Sequence, residues 1–196
     1  MNKTSRNALI LTGGLLLIAI TANKSNYLGK LKTFLPSVEG FSSKPMWDVQ
    51  QWSWGYGSKV PGSINDPNKY PGGTITRERA WTEALRYITT HYSYLKPLIS
   101  APLNNNQIAA LLSFSYNLGQ YNADNIIPEI NSRNQDAVFA NMRQYVYADG
   151  VRNQGLVNRR EKEIALWKGS SIAGMGAALT WQDHLPFGTR ITAGLA

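Results

Sequence analysis

Glu39 and Asp48 are the first two carboxylates of the chain and stand nine residues apart in the segment EGFSSKPMWDVQQWSWGYGS, residues 39–58. A helix end at Glu39 and a hairpin holding Asp48 would set two acids across a cleft, with Trp47, Trp52, Trp54 and Tyr56 as its apolar walls. Aromatic faces suit sugar rings, and a carboxyl against an apolar wall has its pKa raised. One protonated acid to serve a leaving oxygen, and one carboxylate to handle water or a cationic centre, is the chemistry that breaks glycosidic bonds. The spacing alone fits a plainer assignment equally: a solvated acid at a helix end and a turn-forming aspartate.

Several elements must position these residues. Residues 23–38 read as a linker leading into a helix, with Pro36 near its end. Residues 47–57, rich in Trp, Tyr and Val with glycines, predict a short hairpin. The stretch 61–73 holds three prolines and three glycines and is loop. Thr76 is placed to cap a helix running to about Lys96, just ahead of Pro97. Asn105 or Asn106 would cap an apolar helix from Ile108 to Leu118, ended by Gly119. Leu111, Phe114 and Leu118 fall on its core face by helical periodicity, and His91 reads as a helix-surface residue. Further helices fit 124–132, 135–146 and 158–168, with Tyr145 in the core. Residues 169–196 read as a tail with Trp181, His184 and Phe187 as docking points.

Composition narrows the chemistry. The 196 residues contain no cysteine, which excludes a disulfide scaffold and any Cys-ligated metal site. His91 and His184 lie too far apart for a metal-ligand motif, so neither a metal nor an organic cofactor is implied. The net charge is +8; residues 1–38 carry five basic side chains and no acid, leaving +3 for the rest. That distribution suits an anionic surface such as lipid head groups or cell wall, and no nucleic-acid-binding motif accompanies it. Residues 8–22 (ALILTGGLLLIAITA) run without a charge. As a helix they would span about 22 Å, short of the roughly 30 Å hydrocarbon core. A cleaved secretory signal, a weak retained membrane anchor and a buried helix all fit this run.

The segment around the two acids resembles the catalytic signature of the phage-type lysozymes, the endolysin muramidases of glycoside hydrolase family 24. Glu39-Gly40, Asp48 nine residues on, and Gly55-Tyr56-Gly57 carry the likeness. It continues in Asn106-Gln107-Ile108-Ala109-Ala110-Leu111, in Ser113 to Gly119, and in Gly155-Leu156-Val157-Asn158-Arg159-Arg160 with Glu163. The resemblance implies a mainly helical α+β, two-lobed lysozyme-like fold: a small antiparallel sheet lobe, a larger helical lobe, an N-terminal apolar helix and a C-terminal tail. It divides the chain into an apolar segment at 1–26, a catalytic domain at 27–168 and the tail at 169–196. It implies peptidoglycan as substrate, Glu39 as general acid, Asp48 as the residue that positions or activates water, and Ser53 in a role the family usually gives to Thr. Tyr56 and Asn117 are the substrate-binding residues it suggests, although Asn117 also fits a local cap. Arg159 and Arg160 read as ion-pairing residues of the packed lobes.

The chain departs from the family pattern in two places. Asp48 and Ser53 are five residues apart where the family has six, and Ser58 stands in place of the usual His. One residue along a strand reverses the side chain's face. Either the turn is tighter, or Ser53 faces away and Gln50 or Gln51 takes its place. By resemblance residues 8–22 are a weak signal-anchor that holds the protein at a membrane until release. A virion-borne lysozyme contacting virion or capsid protein through the tail, and a non-catalytic wall-binding protein on the same scaffold, are the alternative functions.

Overall fold

Tyr27, Leu31, Phe34, Leu35 and Val38 recur at helical spacing and are all buried, so helix α1 (26–39) lays one apolar stripe on the core. Gly40 ends it, with φ of 64° and its N–H bonded to the Pro36 carbonyl at 3.2 Å. That stop puts Glu39 in the last position of the helix. The structure is a computed structural model that describes residues 26–48, 51–171 and 191–192. The 1–26 segment, Gln50 and the docking points Trp181, His184 and Phe187 therefore lie wholly or almost wholly outside the described residues. Among the described residues no helix is long and apolar enough to cross a membrane.

Strands β1 (Ser42–Asp48), β2 (Gln51–Gly55) and β3 (Ser58–Lys59) form one antiparallel sheet in that order. The hairpin is longer than the composition of 47–57 suggested: β1 begins at Ser42, which pairs with Gly55, and the ladder is irregular between Ser42 and Met46. Gly55 has φ of 61°, and a Cβ there would stand 2.7 Å from the Cβ of Ala80. This glycine lets the sheet meet helix α2 (Arg77–Leu95) in close contact. Trp54 adds a second tie, donating its indole N–H to Glu83 of α2 at 3.3 Å.

Thr76 caps α2 as its sequence position predicts, accepting from the Arg79 N–H. Helix α3 (Asn105–Leu118) is buried along most of its length and ends at Gly119. Its cap is Asn104, one residue before the expected asparagines, because only Asn104 closes a reciprocal capping box with Gln107. His91 is half-buried rather than on the surface, its Nδ1 2.9 Å from the Ser115 hydroxyl of α3. Burial holds its pKa below the ordinary imidazole value, although the Ser115 contact acts the other way.

After α4 (Gln120–Ala123) a short 3₁₀ turn leads into α5 (Ile127–Asn131) and α6 (Gln135–Met142). Pro128 in the first turn explains why 124–132 is two short pieces instead of one helix. The expected helix 135–146 stops at Met142, and Tyr147–Ala148 (β4) pairs with Val151–Arg152 (β5). Helix α7 (Gln154–Trp167) starts before residue 158 because Asn153 caps it, accepting from the Leu156 N–H. In the tail, β6 (Ile191–Thr192) pairs antiparallel with β4.

Gly55→Ala is expected to cost about 1–3 kcal/mol, since the side chain meets both an unfavourable φ and the Ala80 contact. Urea denaturation checks this; an unchanged midpoint would show that the sheet is not seated on α2 at this glycine.

Candidate active site

Strand register decides which hairpin residues can act together. Asp48 pairs with Gln51, Trp47 with Trp52 and Met46 with Ser53. Directly opposed residues share a face, so Met46, Asp48, Gln51 and Ser53 lie on one side and Trp47 and Trp52 on the other. Ser53 donates to Asp48 Oδ2 at 2.6 Å and accepts from Gln51 Nε2 at 3.2 Å. Asp48 is 4% exposed and Ser53 is fully buried. The turn is therefore the tighter of the two expected forms, and Ser53 faces Asp48.

The same alternation overturns the expected aromatic wall beside Asp48. The rings of Trp47 and Trp52 meet on the opposite face at 5.6 Å, and Tyr70 meets Trp52 edge-on at 5.2 Å. The Trp52 indole donates to the Asp66 carbonyl of the loop. Tyr56 follows the sheet as a buried residue, its ring 5.5 Å from Phe41. Its carbonyl accepts from the Tyr116 hydroxyl at 2.9 Å, which ties the sheet to α3. Burial raises the Tyr116 pKa, and the nearby Glu39 charge raises it further.

Glu39 meets a cation where an apolar wall was expected. Its Oε1 lies 2.6 Å from Arg159 Nη2, with the Glu39 side chain 13% exposed. Arg159 also donates through Nε to Glu163 Oε1 at 3.0 Å and through Nη2 to the Ser113 carbonyl at 3.2 Å. Glu163 Oε1 accepts from the Ser113 hydroxyl at 2.8 Å, and its Oε2 lies 2.9 Å from Arg160 Nε. Arg160 reaches on to Asn117 Oδ1 at 2.8 Å and lies over the Phe114 ring. Burial lowers the Arg160 pKa to about 10, with Glu163 acting against it. Burial also works against the charge on Arg159, but Glu39 and Glu163 more than offset it and its pKa is raised.

The sequence-predicted residues thus fall into two sets. Asp48 and Ser53 share a direct hydrogen bond on the hairpin. Glu39 and Asn117 terminate one chain of polar contacts running through Arg159, Glu163 and Arg160. The local cap considered for Asn117 is not how its oxygen is used; Arg160 takes it. Sequence reasoning missed Tyr116 and Ser113. The signal for Ser113 was a hydroxyl in the apolar stretch Ile108–Phe114 of α3, facing a helix whose Arg159 and Arg160 lie four and three residues before Glu163. Among the described residues no three His, Asp or Glu side chains are grouped to hold a metal ion.

Ser53→Ala removes the hydroxyl donor from a buried carboxylate. A loss of about 1–3 kcal/mol in unfolding free energy is expected, measured by urea denaturation at neutral pH; a smaller effect would mean that Asp48 is held by other groups.

The phage lysozyme family description matches residues 36–163. The SAR-endolysin of Escherichia phage Mu is 31% identical over 78 residues, covering 39% of this chain and 46% of that protein. The SAR-endolysin of Bacteriophage PS119 is 27% identical over 101 residues, 50% of this chain and 60% of that protein. The chain thus spans only about half the length of these curated relatives. The solved structure of a P22 lysozyme mutant is 25% identical with a TM-score of 0.59, covering 71% of this chain and 95% of that one.

Proposed function

Because this chain belongs to the phage lysozyme family, we propose that it is a muramidase that hydrolyses the N-acetylmuramic acid to N-acetylglucosamine bond of peptidoglycan in host lysis. The observation that carries this reading is the pair of acids inside the matched region. Glu39 stands at the end of α1, and Asp48 is held by Ser53 on the polar face of the hairpin. Residues 27–168 form the catalytic domain in this reading.

Protonated Glu39 gives its proton to the bridging oxygen as the bond from that oxygen to the anomeric carbon breaks. Asp48, steadied by Ser53, takes a proton from a water that attacks the anomeric carbon from the other side. One water is consumed and configuration inverts. Asn117, its carbonyl oxygen already engaged by Arg160, turns its amide donor to the sugar's acetamido oxygen. Tyr56 acts from behind the binding surface, fixing Phe41 and the end of the sheet. The mildly basic body favours approach to an anionic wall.

Glu39→Gln keeps the shape but removes the transferable proton, so turnover is expected to fall by about 10²–10⁴-fold. Mass spectrometry of muropeptides released from purified peptidoglycan checks this. Wild-type products must carry one added water; anhydro-sugar ends would identify a transglycosylase, and undiminished release by Glu39→Gln would remove the assignment.

The uncharged run 8–22 and the two relatives named SAR-endolysin support placement at the host inner membrane, with the catalytic part on the periplasmic side. Deleting residues 1–25 leaves α1 intact. The truncated chain is expected to leave the membrane fraction and to lyse permeabilised cells without delay. A truncated chain that fractionates and acts as the full chain does would remove the anchor.

A further inference from the structure

We propose that Glu163 is a positioning residue for the acid Glu39, fixing both where its carboxyl sits and how much positive charge faces it. This rests on the muramidase reading above. Glu163 touches no solvent, and its two oxygens are divided between two arginines. Oε1 takes Arg159 Nε and the Ser113 hydroxyl, and Oε2 faces Arg160 Nε.

A guanidinium is planar and rigid. With Nε on Glu163 and Nη2 on the Ser113 carbonyl, Arg159 is held at two points, and the Nη2 placed in this way sits 2.6 Å from Glu39 Oε1 as its ion-pair partner. Glu163 therefore sets the place of the Glu39 carboxyl through one rigid plate. Arg160 cannot swing over to compensate, because Asn117 holds its Nη2 and the Phe114 ring lies 4.9 Å beneath its guanidinium carbon.

The charges lead to the same assignment. Glu39, Arg159, Glu163 and Arg160 are two acids and two cations, so the charges of the set cancel. Among the described residues, Arg159 and Arg160 on α7 and Tyr116 on α3 interact with the Glu39 charge; Lys162 of α7 donates to the Ser37 carbonyl of α1, and Asp48 stands on the hairpin that follows. A neutral residue at 163 would leave one surplus positive charge beside Glu39. Positive charge favours the carboxylate, and a general acid must carry a proton to act. Loss of Glu163 therefore moves the alkaline limb of the pH–rate profile to lower pH.

The test compares the full chain in mild detergent with its Glu163→Gln and Ser113→Ala variants, on soluble glycan strands across the acid and neutral range. Glu163→Gln is expected to lower kcat by about tenfold with KM within about twofold. Its alkaline limb should move down by about one pH unit. Ser113→Ala removes one donor from Glu163 with little change of volume and should shift the limb upward or downward by far less than Glu163→Gln, with kcat lowered by about threefold. If Glu163→Gln does not fold, Ser113→Ala decides through kcat. Folded variants that lose thermal stability but keep the wild-type kcat and pH profile would overturn the proposal and leave Glu163 as lobe cement. A wild type indifferent to Glu39→Gln would instead sink the muramidase reading, and this proposal with it.

Discussion

Three buried charges and the part-buried Glu39, at the junction of α1, α3 and α7, set the terms for the rest of the structure. Arg160 and Glu163 have no exposed surface and Arg159 has 4%. Removing such groups from water costs several kcal/mol per ion, offset only when each is paired and hydrogen-bonded in good geometry. The surroundings meet part of that cost: α3 supplies the Ser113 hydroxyl to Glu163, the Ser113 carbonyl to Arg159 and Asn117 to Arg160, whereas Glu39 with Arg159 and Glu163 Oε2 with Arg160 Nε meet as ion pairs without hydrogen-bond geometry. The glycine stop at residue 40 and the asparagine cap at residue 153 therefore serve one constraint, because they set the ends of the two helices that carry the charges.

The sheet obeys a different rule. Its two faces alternate, and each has a separate use. Trp47, Trp52 and Tyr70 cover one side and are pinned to the loop through the Trp52 indole. Asp48, Gln51 and Ser53 hold one another on the other side. The hairpin is fixed to the helical body at its base, by the Gly55–Ala80 approach, the Trp54–Glu83 bond and the Tyr116 hydroxyl on the Tyr56 carbonyl. Asp48 and Ser53 are thus placed by backbone register, and Glu39 by its ion pair.

What was legible in the sequence follows from which of these forces acts locally. The Thr76 cap and the Gly119 stop are local events and stood where their residues predict. The apolar face of α3 was equally readable, because periodicity records burial directly. The asparagine run 104–106 was ambiguous, since three adjacent residues could cap and only the reach of Gln107 selects one. The β4–β5 hairpin and its pairing with β6 left no signal, being two-residue strands whose partner in β6 is more than forty positions away. The aromatic wall failed for a physical reason: composition counts tryptophans but does not say which face they take. Arg159 and Arg160 were readable as ion-pairing residues, yet no spacing rule shows that one of them meets Glu39 across more than a hundred residues.

The shortened interval between Asp48 and Ser53 shows why residue types matter more here than counts. Facing across a hairpin depends on register, and register depends on turn length. With Asp48 opposite Gln51, only two residues separate the paired positions, and the residue two beyond Gln51 returns to the Asp48 face. That residue is Ser53. The two-residue connection and the five-residue interval are thus one fact, and the hydroxyl meets its carboxylate at 2.6 Å. The acid side has no comparable slack. Arg159 reaches Glu39 and Glu163 through atoms of one rigid plane, and Glu163 lies four residues further along the same helix. A one-residue change in α7 between them would rotate Glu163 by about 100° about the helix axis, leaving Arg159 to face Glu39 alone.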